Sequence, residues 1–307
     1  KYAREGLKHL KSLRSLSLKF NRCEEVTGEG LKQVKQGVKN LKLLRSLEMS
    51  LHDCECIKDD GLKYFRGSLR PHVLLRNLLI NFNQCKEIND NSIQYLRGSM
   101  QHLYSLKKLD LNFHNCNNFT NEGLRVMKNE VINLRSIEEL YLQFPRCKLI
   151  NDKGLFHINE AIKNTNDLKT LGINFEFCEK VTNEAMCLLE NSIRGLKKIQ
   201  NLGLYFNKCS GITDNGVHSL KEAISDHRML KTLNLCFTNR HRMRFLNYSK
   251  SNPVHLSDKG MLDLRESLRY LAALKSLMIS IDPCQELTDQ GIQRSEERRV
   301  GKGVDLG

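Results

Sequence analysis

Seven cysteines recur every 31 residues: Cys23, Cys54, Cys85, Cys116, Cys147, Cys178 and Cys209. The interval holds across all six gaps. A fixed period of this size means a stacked repeat architecture, in which each unit buries its apolar face only against its neighbours. Such arrays are mostly binding surfaces, and their partners are set by variable surface residues. The period therefore constrains architecture far more than it constrains the partner.

The unit is clearest from Leu106 to Ser136, LKKLDLNFHNCNNFTNEGLRVMKNEVINLRS. Leu109, Leu111 and Phe113 alternate with period two, as in a half-buried strand. After Cys116, apolar residues at Leu124, Met127 and Val131 fall three and four apart, as on a helix face. Each unit is thus one short strand, a turn and one helix. Every connection is the same helical return, which predicts a parallel sheet with helices packed on one face. Two inward columns run the length of the chain. One passes through Leu18, Met49, Ile80 and Leu111, the other through Phe82, Phe113, Phe144, Phe175, Phe206 and Phe237. Thr27, Thr120, Thr182, Thr213, Ser257 and Thr288, or the Asp or Asn after each, are expected helix N-caps. Three residues on, Gly30, Gly61, Gly123, Gly154, Gly216, Gly260 and Gly291 are expected to permit close packing in the first turn. Ser92 and Ala185 stand in that column too, so the requirement is a small side chain, not a positive φ.

The string Leu-x-Leu-x-Phe-x-x-Cys-x-x-Ile-Thr-Asp-x-Gly-Leu resembles the cysteine-containing subclass of leucine-rich repeats. LGLYFNKCSGITDNGVHSL (Leu202 to Leu220) is the fullest copy, and CQELTDQGI (Cys284 to Ile292) repeats its second half. The resemblance covers Leu13 to Ile292. It implies an α/β solenoid curved as a horseshoe, with strands on the concave face and helices on the convex face. A repeat of 31 exceeds the family's usual range of roughly 20–29 residues. The extra residues fall in the helix and its descent, so long helices resembling the ribonuclease-inhibitor subclass are expected. The resemblance further implies a substrate-receptor or adaptor role, as in ubiquitin-ligase F-box proteins, although no F-box segment is present.

Repeat logic runs through residues 1–293, opening inside a repeat and stopping at Gln293, so an array truncated at both ends is expected. From Phe237 to Ile281 the strand-to-strand distance is 44 residues, and the excess lies at about 238–253. Arg240 takes the ladder position there, with Arg242 and Arg244 close by. Insertions in solenoids map to one rim and often touch partners; a tolerated surface insertion is the competing reading. The segment 294–307 has no period, and RSEERRVGK within it resembles a translated sequencing-adapter oligonucleotide. It is expected to be non-native and is excluded from fold reasoning.

The formal net charge is +14, and removing the four basic and three acidic residues of the tail leaves +13. The basic residues map mostly to helices, among them Lys32, Lys35, Arg125, Lys128, Arg194 and Lys197. A solvated helical face accounts for most of this. RNA or an anionic surface is the alternative partner, and aromatic residues do not interleave with the basic ones as single-strand binders require. No apolar run reaches the length of a membrane span. No signal peptide is expected, and one cysteine per repeat at a core position is explained by packing as a small hydrophobe. Free thiols in an intracellular, cytoplasmic setting are expected.

Chemistry is sparse. Among eleven cysteines only Cys54 and Cys56 are close, and zinc needs clustered pairs, so no metal and no cofactor are expected. His52 and His114 precede Cys54 and Cys116 by two residues. Asn21, Asn83 and Asn207 fill the same column, which reads as repeat variation and not as a nucleophile with its base. No enzyme is expected. The concave face carries the binding hypothesis: Lys19, Ser50, Asn81, Asn112, Gln143, Asn174 and Tyr205 in one outward column, with Tyr141 in the next. Amides supply paired donors and acceptors, and tyrosines supply interface anchors. The competing reading is a polar ladder that only solvates the sheet. Non-catalytic protein recognition leads, and an accessory region of a larger enzyme such as a kinase is the runner-up.

Overall fold

The computed structural model describes residues 2–57, 62–63, 66–238, 256–282 and 288–289. Nine strands form one sheet in sequence order, and every pairing is parallel. They are β1 (Ser15–Lys19), β2 (Ser46–Ser50), β3 (Asn77–Asn81), β4 (Lys108–Asn112), β5 (Glu139–Gln143), β6 (Thr170–Asn174), β7 (Asn201–Tyr205), β8 (Thr232–Thr238) and β9 (Ser276–Asp282). The described helices are α1 (Tyr2–Leu7), α2 (Gly28–Val38), α3 (Asp90–Gln94), α4 (Asn121–Val131), α5 (Asp152–Ile162), α6 (Asn183–Gly195), α7 (Asp214–Ile224) and α8 (Asp258–Leu268). This is an α/β solenoid with a 31-residue period, the architecture that the resemblance to leucine-rich repeats implies. Packed helices stand ~8–10 Å apart and strands ~4.8 Å apart, so such a stack bends with its sheet on the inner side.

The register never slips: Leu109 pairs with Leu140, Leu140 with Leu171, and Leu171 with Leu202. Sequence columns are therefore physical columns. The phenylalanine column becomes a continuous buried spine. Ring centroids lie 5.5 Å apart from Phe82 to Phe113, 5.7 Å from Phe113 to Phe144 and 5.4 Å from Phe144 to Phe175. The spacing is 6.2 Å from Phe175 to Phe206 and 6.3 Å from Phe206 to Phe237. Phe119 wedges against Phe113 and Phe144 at 5.1 and 5.3 Å.

The ladder cysteines do more than fill space. From Cys54 on, each thiol donates to the carbonyl that ends the inward strand run of the preceding repeat. Cys54 reaches Phe20 O at 2.7 Å, Cys85 reaches Leu51 O at 2.8 Å and Cys116 reaches Phe82 O at 3.3 Å. Cys147, Cys178 and Cys209 repeat the bond at 3.1, 3.3 and 3.2 Å. The carbonyls of Phe82, Phe113, Phe144 and Phe175 also accept from the backbone N–H three residues on, so there the thiol is a second donor that ties one repeat to the next; this adds to the purely hydrophobic role expected for the column. The ten described cysteines are free thiols. Burial pushes the thiols of Cys85 and Cys147 up to about 12, so they are protonated at neutral pH.

The residue before each of these cysteines, Arg22, Asp53, Gln84, Asn115, Arg146, Phe177 or Lys208, has φ between 56° and 64°. The left-handed backbone costs a non-glycine residue roughly 1–2 kcal/mol. It is held because each N–H extends the sheet ladder into the next repeat, as from Arg146 to Glu176 O at 2.7 Å.

Helix starts are linked between repeats. Thr120 caps α4 by accepting from Glu122 N, and Asp90, at the start of α3, reaches across to it. Asp90 Oδ1 accepts from Thr120 N and Gly123 N, each at 2.9 Å, and Oδ2 accepts from Thr120 Oγ1 at 2.5 Å. Asp152 serves Thr182 the same way, and Asp214 serves Ser257. The glycine column exists to admit this oxygen. A Cβ at Gly123, Gly154, Gly216 or Gly260 would lie 2.4–2.7 Å from the Asp or Asn of the preceding repeat.

Uniformly long helices are not found. α3 has five residues and its chain turns at Gly98, where φ is +70°. The buried Glu130 carboxylate of the next repeat accepts from Gly98 N at 2.7 Å and Met100 N at 3.1 Å, replacing the missing helical bonds. Five of the other helices have eleven residues. The rest of the period goes into the turn-rich descent. The insertion at 238–253 lies, beyond Thr238, outside the described residues, as do Arg240, Arg242, Arg244 and the tail 294–307.

One buried pair makes the fold acid-sensitive. His72 and His227 occupy equivalent positions, where Leu41, Leu103, Leu134 and Leu196 stand in other repeats, and both are buried. His72 Nδ1 bonds Leu41 O at 3.2 Å, while its Nε2 is buried without a hydrogen-bond partner. Burial pushes both imidazoles below their ordinary 6.5. The unfolded chain then takes up protons first. Stability is complete above about pH 6.5 and falls as pH drops through that value towards the lower folded-state values. A melting-temperature series from pH 7.5 to pH 5 should show this loss. The double variant His72→Leu, His227→Leu should reduce it, leaving the share of His114 and His157, whose imidazoles burial also lowers, and an unchanged pH profile would contradict the assignment.

Candidate binding groove on the sheet face

The exposed face of the sheet is not uniform. Across β5 to β8 one outward column reads Tyr141, Gly172, Gly203 and Asn234, each in register with the next. The adjacent column reads Gln143, Asn174, Tyr205 and Cys236. Two adjacent glycines leave bare backbone between two tyrosines. The result is a groove of about 580 Å³ lined by both tyrosines, both glycines, Gln143, Asn174, Glu139 and Asn234 among others.

The glycines are there because the rings lie on them. A Cβ at Gly172 would meet Tyr141 Cδ1 at 2.7 Å, and one at Gly203 would meet Tyr205 Cε2 at 2.9 Å. Lys108 Nζ lies 5.0 Å from the Tyr141 ring centroid and pairs with Glu139 at 2.9 Å. Burial pushes the Tyr141 hydroxyl up, so it is a neutral donor at physiological pH. The Tyr205 hydroxyl accepts from Asn234 Nδ2 at 3.4 Å. Flat amphipathic rings at fixed positions can anchor a ligand while losing little side-chain entropy.

The groove gathers four of the expected surface residues, Tyr141, Gln143, Asn174 and Tyr205, and excludes the other four. Lys19 pairs with Glu48 at 2.8 Å on β1, far along the sheet. Ser50 is only 4% exposed and donates to Asn21 Oδ1 at 2.7 Å, so it is not a surface contact. Asn81 and Asn112 lie on β3 and β4. Their Oδ1 atoms accept from the backbone N–H two residues on, Asn83 and His114, each at 2.9 Å. Asn174 does the same for Glu176 N at 2.9 Å. The amide run is therefore partly strand-end scaffolding, and only the Nδ2 side of Asn174 is turned to other partners. Gln143 Nε2 donates to Asp110 Oδ1 at 2.9 Å. Sequence reasoning passed over Gly172 and Gly203 as site residues. Their signal was two consecutive glycines in one outward column.

Among the described residues no group of three His, Cys, Asp or Glu is placed to hold a metal ion. No described helix is long and apolar enough to cross a membrane.

No family model matches the chain, and no curated protein matches it in sequence. Among solved structures, the chain is similar to the protein in a crystal structure of a TLR13–ssRNA13 complex, at 17% identity and a TM-score of 0.49. The match covers 93% of this chain and 32% of that one, so the chain spans about a third of that protein's length.

Proposed function

We propose that this chain is a non-catalytic protein-recognition module that binds a partner segment in the groove between Tyr141 and Tyr205. The observation that carries the reading is the paired glycine floor, Gly172 beside Gly203, flanked by aromatic rings. A preformed concavity loses little ordering entropy on binding. An adaptor or substrate-receptor role in a reducing, intracellular compartment fits a core whose thiols are occupied as hydrogen-bond donors. The cysteine-type subclass of repeat fits the thiol-to-carbonyl ladder and the Thr-Asp capping relay.

The test begins with peptides selected from a random display library on the immobilised chain. Tyr205→Ala, a truncation on an open face, should weaken the selected binders by about tenfold, as for an interface anchor. Gly172→Leu should block the groove outright, with unchanged circular dichroism. Binding should change little between about 50 and 200 mM salt, because phosphate-like contacts to the basic helices would be steeply salt-dependent. Binders indifferent to both variants but lost in salt would assign recognition to the helical face instead.

A further inference from the structure

Charge is distributed against the trend of the molecule around this groove. The chain carries +14 overall. Around Tyr141 and Tyr205 stand three carboxylates, Asp110, Glu139 and Glu176, and one ammonium, Lys108. Lys108 pairs with Glu139. Neither Asp110 nor Glu176 makes an ion pair among the described residues. Asp110 is half-buried, in register with Tyr141, and is held by Gln143 Nε2. Glu176 lies two residues past β6. It accepts from Asn174 Nδ2 at 3.4 Å and from Asn207 Nδ2, so two neutral amides fix it beside the groove. Burial pushes the Asp110 carboxyl up, partly offset by the Gln143 hydrogen bond and the charge of Lys108. The two tyrosine rings and Glu139 line the cavity, while Asp110 and Glu176 stand just outside it, each bonded to a lining amide, Gln143 or Asn174.

We infer that the groove takes a cationic side chain, arginine or lysine, presented by an extended segment of the partner protein and seated between Tyr141 and Tyr205 beside Asp110 and Glu176. Tyrosine faces attract cations through the ring quadrupole, and guanidinium also stacks on rings while forking to a carboxylate. A peptide is the source because the groove crosses several strands and offers amides at Asn174 and Asn234 for a backbone, more than a small amine would fill. The basic helices then keep acidic proteins on the outer face, and the inner face selects the opposite charge.

This inference rests on the groove being the recognition site, and the experiment separates the two. Library peptides are selected on the chain and counter-selected on the Gly172→Leu variant, so that only groove-dependent binders remain. Those binders should be enriched in arginine or lysine. Replacing that residue by alanine, or making Asp110→Asn or Tyr205→Ala in the protein, should each weaken binding by about two- to thirtyfold, the range of a desolvated cation–π contact. Asp110→Asn keeps the acceptor for Gln143, so it tests charge and not folding. Lys128→Ala on α4 should leave binding unchanged. Groove-dependent binders without a cationic residue, or indifferent to Asp110→Asn, would overturn the cationic assignment and leave the groove standing. Finding no groove-dependent binder would overturn both.

Discussion

Phe144→Ala is expected to destabilise the chain by about 3–5 kcal/mol, the range for truncating a fully buried aromatic residue. Phe144 touches the spine on both sides, with Phe113 at 5.7 Å and Phe175 at 5.4 Å, and Phe119 closes a third side at 5.3 Å. Its exposure is zero. The strands on either side are fixed by the ladder, so the cavity cannot collapse by moving one element. Phe20→Ala is the control. Phe20 occupies the equivalent column near the start of the array and is only partly buried. Its loss should be less than half as large. Urea denaturation followed by circular dichroism measures both. Equal losses would mean that the spine does not act as a stack.

Gly123→Val should cost at least about 3 kcal/mol by two combined effects. Overpacking at a filled site costs roughly 1–3 kcal/mol. Displacing a carboxylate from its donors costs roughly 1.5–3 kcal/mol per charged hydrogen bond. The new Cβ would fall 2.6 Å from Asp90 Oδ1 and 2.7 Å from Phe119 Cζ. Asp90 would then leave Thr120 N, Thr120 Oγ1 and Gly123 N, three donors that join one repeat to the next. The chain contains its own comparison. At the same column Ala185 has a Cβ, and there Asp152 keeps Thr182 N and Oγ1, both at 2.8 Å, while Ala185 N donates to Thr182 O at 3.1 Å. Gly123→Ala should therefore fall between wild type and Gly123→Val, and Ala185→Gly should be close to neutral. The same denaturation series checks all three. A neutral Gly123→Val would show that the relay contributes nothing.

The strand columns, the phenylalanine spine and the Thr and Gly columns were legible in the sequence because zero register slip turns each column into a physical line. What was not legible had no residue signature. The left-handed position holds Arg22, Asp53, Gln84, Asn115, Arg146, Phe177 and Lys208, which share no side-chain property. The backbone ladder imposes that conformation, whatever the residue. The cysteine column was visible as a column, but its reason, a donor for the preceding repeat's carbonyl, needs the stacking geometry. The shortness of α3 depends on Glu130, a residue of the next repeat. At the groove, the two tyrosines and two of the amides stood out as interface chemistry. Ser50 did not belong there, because Asn21 draws its hydroxyl into a buried bond. The glycine floor emerges only when Gly172 and Gly203 are placed side by side.

The most direct test of the account is a hydroxyl-radical footprint, read by mass spectrometry, of the chain with and without a selected groove-dependent peptide. Tyrosine side chains are the reporters. Tyr104 and Tyr270, exposed at 68% and 58% away from the groove, are internal controls. The account predicts that the peptide protects Tyr141 and Tyr205 and leaves Tyr104 and Tyr270 as reactive as before. Unchanged reactivity at Tyr141 and Tyr205, with protection at either control, would place recognition elsewhere on the array.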